Sequence, residues 1–212
     1  MIARPDMSER PMIIFPKSCS RGFSMIEALI AVAITAIGVL AIAALQLTSK
    51  HANFETGQRT AAIQLANDLI ERMRSNAGQL AVYTSGATGT VLTGTLAAPV
   101  PDCGAATCTG AQLAAYDLFQ WDQALLGVTE QGNSGGLASA TGCVVQGVAS
   151  NFITVAITWR GRTALSNPVS DSEIDNPAGG NLGCGADSGL YDNNAGDDAF
   201  RQVLVVRTYL DT

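Results

Sequence analysis

The stretch CSRGFSMIEALIAVAITAIGVLAIAALQ, residues 19–46, contains an apolar run of membrane length that restricts which folds are possible for the chain. From Ala28 to Ser49 there is no charged residue for 22 positions. A transmembrane helix needs roughly 20 apolar residues, and this run is rich in Ala and Leu and contains no Pro. One acid, Glu27, lies close to its start. Because a charge in lipid is costly, we expect Glu27 to serve a function.

Charge is distributed unevenly along the 212 residues. Residues 1–22 carry a net charge of +2, and the rest of the chain carries −8. By the positive-inside rule, this predicts a single-pass membrane protein with its N-terminus in the cytoplasm and its C-terminal part outside. The acidic remainder argues against nucleic acid as a partner, because phosphate binding needs clustered Lys and Arg.

An ordinary secretory signal is one alternative for the apolar run, since Ala41-Ile42-Ala43 would serve as a cleavage site. The run is longer than the apolar core of about 7–15 residues that such signals contain. An uncleaved membrane anchor with no further role is a second alternative.

A third interpretation depends on residue order. RGFSMIEALIAVAITAIGVLAIAALQ, residues 21–46, resembles the N-terminal signature of type IV prepilins and type II secretion pseudopilins. In that family a prepilin peptidase in the membrane cuts after the glycine and methylates the new terminal phenylalanine. The resemblance implies cleavage between Gly22 and Phe23, N-methylation of Phe23, and an assembly role for Glu27, which is the fifth residue from Phe23. It also implies residence in inner-membrane lipid and then in the pilus fibre.

The chain departs from the family pattern in two ways. Many major pilins have a helix-bending proline late in this segment, whereas here the next proline after Pro16 is Pro99. A leader of 22 residues is also long for the family, so Met7 and Met12 are alternative starts to Met1.

The helix is expected to continue beyond the apolar run. Its second half has an apolar stripe of Phe54, Ala61, Leu65, Leu69 and Met73, widened by Ala62, Ala66 and Ile70, which is typical of a helix packed on a domain. Asp68 and Arg72 form a favourable pair four residues apart. The helix is predicted to end near Ser75, with Gly78 as a left-handed cap. The predicted segments are a leader (1–22), a hydrophobic transmembrane and assembly helix (23–49), an amphipathic helix (50–76) and a periplasmic head (77–212).

Two stretches resemble one subgroup of this family. QLANDLIERMRSN, residues 64–76, and CTGAQLAAYDLFQW, residues 108–121, resemble the PilV-type minor pilins, the type IV pilus modification protein family. The resemblance covers residues 20–76 and 103–126 and is weak from residue 127 onward.

The head is predicted to be α+β, with an antiparallel sheet packed on the long helix. Residues 79–107 are predicted to be loops. Thr109 and Gln112 form a capping-box pattern that opens a second helix. Its inner stripe is expected to be Ala114, Leu118, Trp121 and Leu125. Three segments are predicted strands: residues 143–148, residues 201–210, and residues 151–160, in which Ile153, Val155, Ile157 and Trp159 alternate with Thr154 and Thr158.

Five cysteines are present, and Cys19 falls in the predicted leader. The other four suggest two disulfides in an exported head, with three possible pairings. A zinc site is the rival, but the chain has no C-x-x-C motif and its one histidine, His51, is remote. Their positions favour Cys103–Cys108, which encloses four small residues, and Cys143–Cys184, which would fasten the loop before the last strand to the sheet.

Two further patterns indicate other chemistry. The segment GNSGG, residues 132–136, is similar to a serine-protease nucleophile loop, but that chemistry needs a nearby histidine and His51 lies on the long helix. The tract from Asp171 to Asp198 is acidic, and Asp192, Asn194 and Asp197 are the first candidates for a calcium site. The tract lacks the spacing of an EF-hand, and a solvated loop is the preferred interpretation.

The leading functional hypothesis is a minor pilin that enters a type IV pilus near its tip and helps to start assembly. Its expected partners are the prepilin peptidase, other minor and major pilins contacted through the N-terminal helix, and a tip adhesin. A minor pseudopilin of type II secretion is the alternative in the same class. A membrane-anchored periplasmic enzyme is the alternative in another class, although no catalytic constellation is visible in the sequence. We expect no enzyme activity and no cofactor.

Overall fold

The longest element is a helix of 51 residues, α1 (Met25–Ser75). It belongs to a computed structural model that describes residues 22–85, 90–128, 136–147, 151–164, 183–186, 188–192 and 198–211. The chain divides into two compact units, Met1–Leu47 and Thr48–Thr212. In the first unit, the described residues are three residues of irregular backbone and the first part of α1.

The second unit is α+β, as predicted. Its four strands are all antiparallel and lie in the order β1-β2-β3-β4, which is also their order along the chain. The elements after α1 are a 3-10 turn (Ala77–Gln79), α2 (Leu80–Tyr83), β1 (Thr90–Leu92), α3 (Gly110–Leu125), β2 (Thr141–Gln146), β3 (Phe152–Arg160) and β4 (Arg201–Tyr209).

The central strand β3 has the predicted alternation. Ile153, Val155, Ile157 and Trp159 lie in the core cluster that also contains residues of α1 and α3. Thr154 and Thr158 alternate with them but are buried as well. The second face of the sheet is therefore covered, and near its centre Ala156 packs with Cys143 and Cys184.

The buried stripe of α1 is rotated slightly from the predicted one. Its fully buried residues are Ala62, Ala66, Leu69, Ile70 and Met73, whereas Ala61 and Leu65 are only partly buried at its margin. Phe54 is 38% exposed, so its assignment to the core is wrong. The guanidinium of Arg162 instead lies over the Phe54 ring, 4.7 Å from its centre.

Helix α3 begins and packs as predicted. The side chain of Thr109 accepts from the backbone of Gln112, and the Gln112 side chain accepts from the backbone of Thr109, which completes the capping box. All four residues of the predicted inner stripe are buried. Trp121 is fully buried, and its indole Nε1–H donates to the backbone oxygen of Leu65 on α1 at 2.8 Å.

The segment after α1 differs from the prediction. Gly78 does not adopt the left-handed conformation; it lies in the 3-10 turn that leads directly into α2. Residues 79–107 are also more than loops, because they contain α2 and the edge strand β1. The physical reason is burial: Leu80 and Tyr83 of α2 and Leu92 of β1 are all core residues.

A buried acid holds the chain that follows β1. Asp122 of α3 is fully buried, and its carboxylate accepts hydrogen bonds from the backbone N–H groups of Gly94 (2.6 Å) and Leu96 (2.8 Å). Gly94 has a φ of +79°, in the left-handed region that glycine adopts most easily. Asp122 therefore fixes the path of this loop against α3.

We expect Asp122→Ala to lower the free energy of unfolding by about 2–3 kcal/mol, because two N–H groups would lose a shared acceptor. Asp122→Asn retains one acceptor oxygen and should lose about half as much. Urea unfolding of the chain in detergent micelles measures both, with the exposed Glu71→Ala as a control. A midpoint for Asp122→Ala equal to that of the unmodified chain would contradict this role.

Both disulfides that the residue positions favour are present. Cys103 is bonded to Cys108, and Cys143 of β2 is bonded to Cys184, with Cα–Cα distances of 5.6 and 5.9 Å. The second disulfide is buried and ties the turn at 183–186 to the sheet. The first disulfide therefore closes a short loop, and the second fastens a segment that is distant in sequence to the core.

We expect Cys143→Ala/Cys184→Ala to lower the free energy of unfolding by roughly 3–4 kcal/mol in the chain-entropy description, because the closed loop is long. The matched variant Cys103→Ala/Cys108→Ala removes a disulfide that closes a much shorter loop, so it should lower the free energy of unfolding by only about 2 kcal/mol. Urea unfolding compares the two variants, and peptide mapping without reductant checks the pairing. A peptide in which Cys108 is joined to Cys143 would overturn it.

Candidate functional site

The start of α1 contains the residues that the sequence marks for processing. Gly22, Phe23 and Ser24 precede the helix, and the backbone oxygen of Ser24 accepts from the N–H of Ala28 at 3.2 Å. Arg21 and all earlier residues lie outside the described part of the chain. The predicted cleavage point between Gly22 and Phe23 is thus in exposed, non-helical backbone immediately before a long helix.

Glu27 lies in the first turn of α1 and is exposed. The unpaired N–H groups at a helix N-terminus favour a negative charge, typically by about 0.3–1 kcal/mol at a surface. Phe23 is four residues earlier and two residues before the first helical position. The chain therefore brings an acid close to the residue whose α-amine would be released by cleavage.

The apolar part of α1 has no described protein neighbour that covers it. Every large apolar side chain from Phe23 to Leu47 is between 54% and 86% exposed. A soluble monomer rarely exposes a continuous apolar surface of this extent. In the described part of the chain, α1 is the one helix that is long and apolar enough to cross a membrane, judged by length and composition. This surface requires lipid or other protein chains around it.

Comparison with known proteins gives two adjoining matches. Residues 17–43 match the family model described as the prokaryotic N-terminal methylation motif. Residues 44–119 match the Tt1218-like family, described as type IV pilin Tt1218. The two matches support a type IV prepilin-like protein. No curated protein and no solved structure gives a significant match.

The family assignment confirms the predicted resemblance at the level of a pilin or pseudopilin. The methylation-motif match contains Gly22, Phe23 and Glu27. It implies that this prepilin is processed by a prepilin peptidase and assembles with other pilins, and that it is anchored in a membrane. A pilin is a structural protein, so the assignment implies a non-enzymatic role. The matches do not distinguish PilV-type minor pilins from other pilins.

Among the described residues of the second unit, α1 and the residue after it, Asn76, make polar contacts at four positions with α3 or with the residues just before β2. Gln58 donates to the oxygen of Gly136 and accepts from the N–H of Ala138. The backbone oxygen of Leu65 accepts from Trp121. The last two positions are Arg72, which donates to Asp117 and Gln120 of α3, and Asn76, which donates to the oxygen of Gly110 at 2.7 Å. We call these four contacts the head tethers.

Arg72 is the most connected of the head tethers. The predicted pair with Asp68 is present at 2.9 Å, and the same guanidinium also binds Asp117 of α3 at 3.1 Å. Burial opposes the charged form, but the hydrogen bonds and charges of Asp68 and Asp117 outweigh it and raise the pKa of Arg72. The cation is therefore retained at the α1–α3 contact.

Tyr83 of α2 joins the same group. Its hydroxyl donates to Asp117 at 2.5 Å. Burial and this hydrogen bond raise the pKa of Tyr83 well above its ordinary value. Asp117 therefore receives a neutral donor on one oxygen and a cation on the other, which joins α1, α2 and α3 at one point. This arrangement was not predictable from local sequence, because its members are up to 45 residues apart.

The predicted calcium residues are only partly described. Asn194, Asp197 and most of the acidic tract from Asp171 onward lie outside the described residues. Asp192 is described, and one of its carboxylate oxygens accepts from the N–H of Asp198 at 3.3 Å. Within the described ranges, no three His, Cys, Asp or Glu side chains form a metal-binding group. The preferred interpretation, a solvated loop without a metal, stays a prediction, and a calcium site stays its alternative.

Most of the residues weighed for catalysis lie outside the described part of this chain. His51 is an exposed residue of α1. In the segment that is similar to a protease loop, Gly136 alone is described, and residues 132–135, including Ser134, lie outside the described ranges.

Proposed function

We propose that this prepilin is a minor pilin of the type IV pilus that enters the fibre near its tip and helps to start assembly. The observation that carries the proposal is the succession of two family matches, a methylation motif at 17–43 followed directly by a type IV pilin match at 44–119. The peptidase would cut between Gly22 and Phe23 and methylate Phe23. The head would be periplasmic before assembly, with the N-terminus in the cytoplasm.

The minor-pilin part of the proposal is supported by the two stretches that resemble PilV-type proteins. Residues 64–76 are the end of α1 and the residue after it, residues 108–121 are the start of α3 and the two residues before it, and the two stretches contact each other. Three of the four head tethers, at Leu65, Arg72 and Asn76, connect them. The resemblance therefore falls on one continuous contact between two helices, which is a more specific likeness than two unrelated surface segments would be.

Glu27 would act in assembly. Cleavage releases an α-amine at Phe23, and in a single chain the Glu27 carboxylate lies four residues from it. In a filament the carboxylate would become more buried, where an acid at the membrane centre costs roughly 2.5–3.5 kcal/mol on insertion scales. The α-amine of a neighbouring subunit would offset this cost. Such a pair would also disfavour a wrong stagger between subunits.

A minor pseudopilin of a type II secretion system is the second candidate, since the methylation motif and the pilin match support a pilin and a pseudopilin alike. A deletion strain separates the two. We expect loss of surface pili, counted by electron microscopy and in sheared fractions, with secretion of enzymes unchanged. Loss of secretion with normal pili would instead identify a pseudopilin. Complementation with the intact gene controls for effects on neighbouring genes.

The proposed location within the pilus has its own test. An epitope-tagged copy at native level should be recovered in sheared pili in small amounts relative to the major subunit, and immunogold label should lie at fibre ends. Label distributed along the whole fibre would contradict a position near the tip.

A further inference from the structure

A groove lies in the second unit between one turn of α1 and the strands β3 and β4. Its cavity volume is about 230 Å³. Three lining residues come from α1 and three from the strands, where β3 ends and β4 begins: Glu55, Thr56, Arg59, Trp159, Gln202 and Val203. We call this the helix–sheet groove.

Arg59 is the cation of the helix–sheet groove, and it is exposed. It forms no ion pair or hydrogen bond with any described residue. Glu55 precedes it by four residues, which is the favourable order for an ion pair along a helix. Glu55 instead accepts a hydrogen bond from the hydroxyl of Thr163, at 2.8 Å.

Glu55 binds Thr163 and not Arg59 because the residues that follow β3 pack against this turn of α1. Arg162 lies over the ring of Phe54, and the next residue, Thr163, binds Glu55. These two contacts hold the Glu55 carboxylate toward the residues that follow β3. The guanidinium of Arg59 therefore keeps its donors free for a group outside the described chain.

Gln202 supplies a second set of polar atoms. Its side chain lies close over Gly161, where an added Cβ would be 2.8 Å from the Gln202 Cγ. Its amide forms no hydrogen bond with a described residue. The groove thus combines a guanidinium and an amide that both retain hydrogen-bonding capacity, beside the buried Trp159.

We propose that the helix–sheet groove receives an Asp or Glu side chain from the head of a neighbouring pilin subunit, which Arg59 and Gln202 bind together. This inference rests on the proposed function. Charge complementarity supports it, because residues 48–212 contain fifteen acidic and eight basic residues, so a second head of this composition offers an excess of carboxylates. Arg binds a carboxylate through two parallel hydrogen bonds. Glu55 keeps the net charge of the groove low, which favours one carboxylate over a polyanionic ligand.

The experiment uses the full chain in its own pilus system, with a photo-cross-linking residue in place of Thr56, inside the groove. A second probe in place of Gln64, an exposed position about two turns beyond Thr56 on α1, reports general contact with neighbours. In sheared pili, the Thr56 probe is expected to give an adduct with another pilin, and the cross-linked peptide should contain Asp or Glu.

Arg59→Glu should lower the yield of the Thr56 adduct by about tenfold, because close interfacial charge pairs commonly contribute at least this factor. The Gln64 adduct should be unchanged. Arg59→Lys should retain most of the Thr56 adduct, and Lys50→Glu, the same charge change on the same helix, should leave it unaffected.

Equal loss of both adducts in Arg59→Glu, no loss of either, or an adduct peptide without Asp or Glu would each overturn the inference. Recovery of the unmodified chain in sheared pili tests the proposed function separately. A chain that is present in pili but gives no Arg59-dependent adduct is still a pilin without this contact, whereas a chain absent from pili contradicts the proposed function itself.

Discussion

Gly22→Leu is expected to leave the whole population of this prepilin uncut, with the leader still attached. The effect should arise at the peptidase and not from damage to the chain, because a Cβ added at Gly22 would meet no atom within 4 Å and Gly22 lies before the first helical residue. A bulky residue directly before the cleaved bond would then prevent the bond from entering the peptidase site.

Mass spectrometry of the membrane fraction measures this result. The unmodified chain should begin at Phe23 with one added methyl group, and Gly22→Leu should show the intact leader. Gly38→Ala is a suitable control, since Gly38 also has open space around it but is far from the cut. A mature terminus near Ala44 would restore the ordinary signal peptide, and normal processing of Gly22→Leu would contradict the need for glycine at this position.

Glu27→Val is expected to lower incorporation into pili on the order of a hundredfold, while insertion, cleavage and folding of the head continue. Valine leaves the α-amine of the adjacent subunit without its partner, and removing one member of a buried charge pair costs at least about 2 kcal/mol. Insertion should persist because valine is favourable in lipid. Cleavage should persist because Gly22 and Phe23 are unchanged.

Quantitative blotting of sheared pili against the membrane fraction measures the incorporated share. Glu71→Val is a matched control, since it removes an exposed acid from the same helix in the head region. Glu27→Gln separates charge from shape and should resemble Glu27→Val. Glu27→Val at normal abundance in sheared pili would show that this acid does not serve assembly.

Elements with a regular spacing of apolar residues, or with another local pattern, were predictable from the sequence. The apolar run, the alternation of Ile153 and Val155 in β3, and the capping box at Thr109 each depend on neighbours within a few positions, and all three are present in the structure. β1 has three residues and α2 has four, which is too short for a period to appear. Their existence depends on burial of side chains against α3 and the sheet.

The polar contacts of the head were unpredictable for a related reason. Asp122 binds N–H groups 26 and 28 positions earlier, and Trp121 binds a carbonyl 56 positions earlier. Nothing in the local sequence of a helix indicates which distant backbone group its side chains will meet. The expected processing site does not depend on such long-range contacts. Gly22, Phe23 and Glu27 lie within six positions of one another and define a motif by their order alone.

The head tethers have a mechanical consequence. They extend from Gln58 to Asn76, a distance of about 27 Å at the usual helical rise. A pull along the axis of α1 would strain all four in shear at the same time, so that they would have to rupture together. A force that lifted one end of the helix from the head would instead peel them apart one by one. This helix and head should therefore resist axial tension far better than sideways bending.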